Sequence, residues 1–311
     1  KGLGVLIAGL TQTVERIKPD FIMYVGDREE AIAGSIVANY MDILSVHIGG
    51  GDPVYGNADD PIRFACSELS HIHFATSQSY ADNLISIGEE PRRVLFSGNP
   101  ALRNLKEVPV ISKEEISKFL NFNLKDFLVV LKHPLSSSKE DSYNQMKVTL
   151  EAISAFVSDN SMQAIGIYPN TDPGSYDILK AIDELKENKD IKFFKTLPRD
   201  IFINLMRGAK ALIGNSSMGI LEAPFYKLPV INVGDRQKGR LNAGNVDFID
   251  YNKVNIYSSL EKAVFDKSYR KTVKDLTNPY GDGDADLKIL DFLKNIDLND
   301  KTWLIKRKIF K

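Results

Sequence analysis

The chain is nearly without cysteine: Cys66 stands alone among 311 residues, so no disulfide can form within it. A lone thiol suits a reducing compartment, and a cytoplasmic location is expected. Surplus charge is also lacking. Lys and Arg total 40 against 41 Asp and Glu, a formal net charge of −1, which argues against nucleic acid or an anionic membrane as partner. No apolar run approaches the roughly 18 residues of a membrane span. There is no short repeat and no low-complexity tract. Histidine and cysteine never fall at zinc-ligand spacing, so zinc is not expected. What remains is ordinary globular material, 43% hydrophobic and 26% charged. The length fits two domains of common size better than one core. The opening KGLGVLIAGLTQTVERIKP reads as amphipathic and continuous with the domain, not as a cleavable signal.

Apolar runs alternate with stretches of helical spacing. FIMYVG (21–26), LSVHIGG (44–50), HIHFATS (71–77) and RVLFSGNP (93–100) read as strands. The spacing predicts helices over REEAIAGSIVANYM, DPIRFACSELS and SQSYADNLISIG, the last with a Ser cap and ending at Gly88. The rhythm returns with FLVVLKHP, MQAIGIYPN, IKFFKTL, AKALIGN and LPVINVGD, the last expected strand. Helices are expected between them, including one over SSMGILEAPFYK. Such alternation implies parallel strands with crossover helices, an α/β layered sheet. The composition of NLKEVPVISKEE places a boundary near 100–112, giving domains 1–105 and 106–290 and a closing helical tail over 291–311. Two such sheets facing a cleft would present their strand C-termini to a ligand.

Several strand-end loops carry chemistry. In GNSSMGILEAP, Ser216 and Ser217 open an expected helix whose free N–H groups suit phosphate, and Glu222 lies far enough along to accept from ribose hydroxyls. An N-cap serine and a solvated glutamate fit the same residues equally well. VGDRQKGR offers Arg236, Lys238 and Arg240, a phosphate fork or a basic surface loop. His133 in KHP could donate to a phosphate or simply cap the turn before Pro134. YPNTDPGS, with Asn170 and Asp172, is by itself a turn signal. The first half has Asp27 and Arg28 in VGDRE, then HIGGGDPVYGNADDPIR, where three glycines stand beside Asp52, Asp59 and Asp60. Glycine admits close backbone approach, and crowded carboxylates act as acids or bases near neutrality. A solvated acidic turn with an N-cap is the plainer alternative.

Taken in order, GDR (26–28), HIGGGDPVYGNADDPIR (47–63), LSHIHFATS (69–77), KHP (132–134), YPNTDPGS (168–175), GNSSMGILEAP (214–224) and INVGDRQKGR (231–240) resemble the hydrolysing UDP-N-acetylglucosamine 2-epimerases of sialic acid biosynthesis. The resemblance runs from about residue 5 to 290, and the order of motifs is far more specific than any one of them. It implies two Rossmann-like domains facing a cleft, the glycosyltransferase B architecture. It also implies conversion of UDP-N-acetylglucosamine and water to N-acetylmannosamine and UDP through a glycal, without metal or redox cofactor. Asp27, Asp52 and Asp60 then match the family's acidic trio, and Arg28 a substrate-contacting arginine. His47 matches a histidine near the acidic loop and His133 the histidine at the diphosphate. Asn170, Ser216, Ser217, Glu222 and Arg236 match nucleotide contacts. The implied partners are a UDP-sugar and further copies of the chain, as dimer or tetramer, with no nucleic acid and no membrane.

The chain departs from the family in three ways. Asp52 stands where the family usually has Glu, one methylene longer. HIGGG replaces HIHGG or HIEGG, so Gly49 removes a side chain near the sugar. Nothing in Lys1–Lys18 matches the family's first strand and Arg-bearing glycine-rich loop, so an upstream segment is expected. The first two departures keep UDP-diacetylbacillosamine, the substrate of relatives leading to legionaminic-type sugars, open as an alternative. A retaining glycosyltransferase of the same architecture, or a non-catalytic nucleotide-sugar binder, are the others.

Overall fold

The fold is that of a computed structural model, which describes residues 1–53, 59–135, 141–185 and 187–308. Part of the acidic stretch (residues 54–58 and the Asp59 side chain), Ser136–Ser138 of the KHPLSSS stretch and the last three residues of the expected tail lie outside the described residues. The chain forms two compact units: Lys1–Lys106 together with Pro279–Lys311, and Glu107–Asn278. The segment 279–290, expected in the second domain, and the tail thus belong to the first unit. No helix among the described residues is long and apolar enough to cross a membrane.

The first unit runs α1 (Gly2–Ile17), β1 (Phe21–Val25), α2 (Glu29–Tyr40), β2 (Leu44–Ile48), α3 (Asp59–Leu69), β3 (Ile72–Ala75), α4 (Gln78–Ser86) and β4 (Val94–Phe96), with α5 (Leu102–Glu107) at its boundary. The four strands pair in parallel in the order β1-β2-β3-β4. Strands β2 and β3 are buried along their whole length, as central parallel strands covered on both faces must be. Ser77 caps α4, its hydroxyl accepting from the Tyr80 N–H at 3.3 Å. The returning segment explains itself by packing: Phe292 meets Phe74 edge-on at 5.4 Å, and Ile289 joins Val46, Ile48 and Ile72 in one cluster. Burial of side chains this size stabilises by roughly 1.5–3 kcal/mol each, enough to draw a distant segment back onto the sheet.

The second unit runs α6 (Lys113–Leu120), β5 (Phe127–Leu131), α7 (Ser142–Asp159), β6 (Gln163–Ile167), α8 (Ser175–Asp183), β7 (Ile191–Phe194), α9 (Arg199–Gly208), β8 (Leu212–Gly214), α10 (Met218–Leu221), β9 (Val230–Val233), β10 (Val246–Ile249), α11 (Lys253–Phe265) and α12 (Lys267–Asp275). The last named helix of the chain, α13 (Ala285–Lys294), lies in the first unit. Six parallel strands take the order β10-β9-β8-β5-β6-β7. Strand β5 shows how alternation builds the layers. Leu128 and Val130 enter the core beneath α7, α8 and α11, while Phe127, Val129 and Leu131 enter the one beneath α6 and α9.

Three sequence expectations change. LPVINVGD is followed by a further strand, β10, whose Asp247 breaks the apolar run. SSMGILEAPFYK forms only the four-residue α10 and then a 3₁₀ turn over Ala223–Tyr226, because Pro224 has no N–H to continue an α-helix. The stretch expected as a boundary contains a helix start: Ser112 and Glu115 form a reciprocal capping box on α6.

Candidate functional site

In the first unit the strand C-termini carry the acidic loops. His47, fully buried on β2, donates from Nε2 to the Gly26 carbonyl at 2.8 Å. Its Nδ1 then accepts from the Ser67 hydroxyl at 3.0 Å. Burial, aided by the nearby Arg63 charge, pushes the imidazole down to about 3, so it is neutral and serves as a fixed strut under the loop before Asp27. Glycines shape the next loop. A Cβ at Gly50 would lie 2.6 Å from the Ser67 hydroxyl, and one at Gly51, where φ is +76°, 2.3 Å from the Tyr80 carbonyl. Only residues without a Cβ let the backbone pass there and deliver Asp52 to the strand end.

Arg63 of α3 gathers these loops. Its Nη2 pairs with Asp27, its Nη1 donates to the Gly49 carbonyl at 2.9 Å, and the same Nη1 lies 3.8 Å from the Asp52 carboxylate. Asp27 and Asp52 are therefore brought together, both largely buried. Asp60 sits in the first turn of α3, three residues before Arg63. Arg28, at the N-cap of α2, is exposed and points to no partner among the described residues. The arginine in DDPIR was visible in the sequence, but its function was not. It depends on three segments converging.

In the second unit the strand order reverses between β5 and β8, the position at which open α/β sheets bind ligands outside the strand C-termini. Asn215, just after β8, bridges that point. Its Oδ1 accepts from the His133 N–H at 2.7 Å and its Nδ2 donates to the His133 carbonyl at 2.8 Å. Its own carbonyl accepts from Arg236 Nη1 and Gln237 Nε2, each at 3.2 Å. The Asn170 N–H donates to His133 Nδ1 at 3.2 Å. The proton of a neutral His133 is thereby placed on Nε2. Burial, then the Arg236 charge, lowers this imidazole to about 4. The switch point thus presents an uncharged N–H donor beside a guanidinium, a pair suited to phosphate oxygens. The tight passage at Gly214, φ +146°, would put a Cβ 1.9 Å from the Leu131 carbonyl.

Ser216 accepts from the Met218 N–H at 3.4 Å, and Ser217 precedes α10 without a side-chain cap bond. A single helical turn supplies much less field than the expected long helix. Glu222 does not join the Asn215 group. It pairs with Arg199 at 3.2 Å, and burial raises its carboxyl despite that cation. Lys238 is exposed beside Asp235 at 3.5 Å, and Arg240 donates to Gln237 at 3.1 Å. Sequence reasoning passed over Asn215, Arg199 and Lys132. Lys132 is buried against Tyr251, its amine 4.5 Å from the ring centroid, and burial with the Arg236 charge lowers it to about 7. Asn215 had a signal, its place between a strand-ending Gly and two serines.

Residues 1–294 match the UDP-N-acetylglucosamine 2-epimerase family. The GDP/UDP-N,N'-diacetylbacillosamine 2-epimerase (hydrolyzing) of Campylobacter jejuni subsp. jejuni is 33% identical over 249 residues, 79% of this chain and 64% of that protein. The UDP-N,N'-diacetylbacillosamine 2-epimerase (hydrolyzing) of Legionella pneumophila is 30% identical over 302 residues, 97% of this chain and 78% of that protein. Among solved structures, the UDP-GlcNAc 2-epimerase from Neisseria meningitidis bound to UDP-GlcNAc superposes with a TM-score of 0.79 at 22% identity, covering 94% of this chain and 81% of that one. This last likeness bears on the fold.

Proposed function

Since the chain belongs to the UDP-N-acetylglucosamine 2-epimerase family, we propose that it is a hydrolysing 2-epimerase. Its substrate is a UDP-linked N-acetylated hexosamine, and its products are the 2-epimeric free sugar and UDP. The observation that carries this reading is the convergence of Asp27 and Asp52 on Arg63 at the strand ends of the first unit. A glycosyl transfer needs no such group; removal and return of the C2 proton does. In the first step a carboxylate takes the C2 proton while the C1–O bond breaks with its electron pair going to UDP, which leaves a C1–C2 double bond. In the second, water adds its oxygen to C1 and loses a proton, and a carboxylic acid returns a proton to C2 on the opposite face. Asp27 is tied to Arg63 and orients it; Asp52, more loosely held at 3.8 Å, is the proton carrier, with Asp60 as its companion. The second unit binds UDP: His133 Nε2–H and Arg236 stabilise the diphosphate as it gains charge, Asn170, Ser216 and Ser217 contact the nucleotide, and Glu222 accepts from the ribose.

Incubation in deuterated water with UDP-N-acetylglucosamine is expected to yield free N-acetylmannosamine carrying deuterium at C2, with one UDP per sugar. Retained C2 hydrogen, or a need for an acceptor, overturns the reading. The names of the two most similar relatives given above favour the diacetylbacillosamine nucleotide as a second substrate to run beside it. The faster of the two by kcat/KM is the better substrate.

Glu222 can be tested separately. Glu222→Ala removes a charged acceptor, worth roughly 1.5–3 kcal/mol. UDP affinity by calorimetry is expected to fall about tenfold or more; unchanged affinity removes Glu222 from the nucleotide site.

A further inference from the structure

Asp52 reaches the strand end on a run of three glycines, and the walls of that passage differ. Gly50 lies against Ser67 of α3 and His47 of β2. Gly51 lies against α4, where a Cβ would meet the Tyr80 carbonyl and, at 3.1 Å, the Leu84 side chain. Leu84 is fully buried, and the buried Tyr80 is itself pinned, its hydroxyl 3.0 Å from that of Tyr280 on the returning segment. Such walls stop the loop from moving into either helix. They do not stop it from withdrawing.

Two side chains do that. The Gly49 carbonyl accepts from Arg63 Nη1 at 2.9 Å, and the Gly51 carbonyl accepts from the Asn83 amide at 2.9 Å. Among the described residues no other group donates to the Gly51 carbonyl. The two carbonyls flank Gly50, so the loop is tied once to α3 and once to α4. Asp52 follows the second tie directly.

Local structure does not account for Asn83. Asparagine is a weaker helix former than alanine or leucine, because its amide competes for the backbone. Asn83 lies past the first turn of the nine-residue α4, where it cannot act as an N-cap, and Ser77 already fills that role. Its half-buried side chain leaves the helix and ends on another segment.

Building on the proposed function, we propose that Asn83 is a positioning residue of the reaction: its amide fixes the Gly51 carbonyl and so sets where the next residue, Asp52, holds its carboxylate against the sugar. Arg63 ties the same loop but also brings charge to both aspartates. The Asn83 amide is neutral, so its loss isolates the placement of Asp52 from the charge around it.

Asn83→Leu, made in the full chain, keeps the volume and removes the donor. UDP affinity is expected to stay within about twofold, and kcat to fall roughly 10–100-fold, the range for a misplaced proton-transfer group. Asn83→Gln, which carries the same amide on a longer arm, should recover part of the rate. In the Asp52→Asn background, Asn83→Leu should cost no further turnover. Wild-type kcat in Asn83→Leu, a parallel loss of UDP affinity, or additive losses in the double variant overturn the assignment. A readout free of turnover separates this from failure of the epimerase reading. In ligand-free protein, amide hydrogen exchange across Gly49–Asp52 is expected to quicken about tenfold in Asn83→Leu, as for the loss of one hydrogen bond, while exchange in β2 stays as in wild type. If exchange in the loop does not change, the tie is wrong whatever the substrate. If it quickens while the wild-type protein yields no deuterated product, the tie stands and the proposed function falls. Should Asn83→Leu not fold, Asn83→Ser, too short to reach the carbonyl, takes its place in every measurement.

Discussion

Arg63→Met is expected to lower turnover by about 10³-fold while leaving UDP affinity unchanged. The guanidinium makes three contacts that a thioether cannot: the pair with Asp27, the hydrogen bond to the Gly49 carbonyl at 2.9 Å and the approach to Asp52 at 3.8 Å. Its loss leaves the Asp27 carboxylate, with 14% of its side chain exposed, without a cation. It also frees the glycine loop that delivers Asp52. Misplacing a proton-transfer group and removing the charge that organises it each cost about 10²-fold or more. A folding penalty of roughly 2–3 kcal/mol should accompany this, somewhat below that of breaking a fully buried pair. Arg63→Lys should recover only part of the rate, since an ammonium cannot fork to a carboxylate and a carbonyl together. The measurement is single-turnover product formation beside UDP calorimetry. A folded Arg63→Met with wild-type turnover would remove the Arg63 cluster from the chemistry.

Arg63 also marks how far the sequence could be read. Strands such as LSVHI and FLVVL were legible because central parallel strands are buried on both faces and end in glycine or at a polar loop. Strand β10 was not, because it lies at the sheet edge, half-buried and interrupted by Asp247. The Ser112–Glu115 box is a local signal hidden in a stretch whose prolines and charges suggested a linker. The return of Pro279–Lys311 to the first unit left no local trace, since its cause is Phe292 meeting Phe74 more than two hundred residues away. The site divides in the same way. Residue types such as the aspartates of the acidic loop and the His–Pro turn were readable from local pattern. The partners that make them work were not, because Asn215 links two strands and Arg63 three segments only in the folded chain.

Glu89→Gln is expected to destabilise the first unit by about 3–5 kcal/mol at neutral pH, the cost of stripping the anion from a buried ionic cluster. Glu89, 1% exposed, accepts from His73 Nε2 at 3.1 Å and from the amines of Lys306 and Lys308, each at 2.7 Å. Lys306 in turn donates to the Ser67 and Glu68 carbonyls at the end of α3. Nearby, the fully buried Arg93 donates to the carbonyls of Thr302, Trp303 and Ile305 at 2.7–2.9 Å. The C-terminal segment is thus strapped down by charge rather than by apolar packing alone. Burial by itself would raise the Glu89 carboxyl, but the His73 N–H and the two ammonium groups outweigh it and hold it down to about 2. A carboxyl held below its unfolded value of roughly 4.5 stabilises in full above that pH, and the stabilisation is lost as pH falls toward 2. The penalty of Glu89→Gln should therefore be largest at pH 7 and shrink steadily between about pH 4.5 and pH 2. Denaturant unfolding of both proteins across that range is the check. A difference that stays constant with pH would mean the carboxylate's charge does not hold the strap. Because Lys306 anchors on Ser67, and Ser67 holds His47 under the Asp27 loop, a loosened strap should also lower turnover.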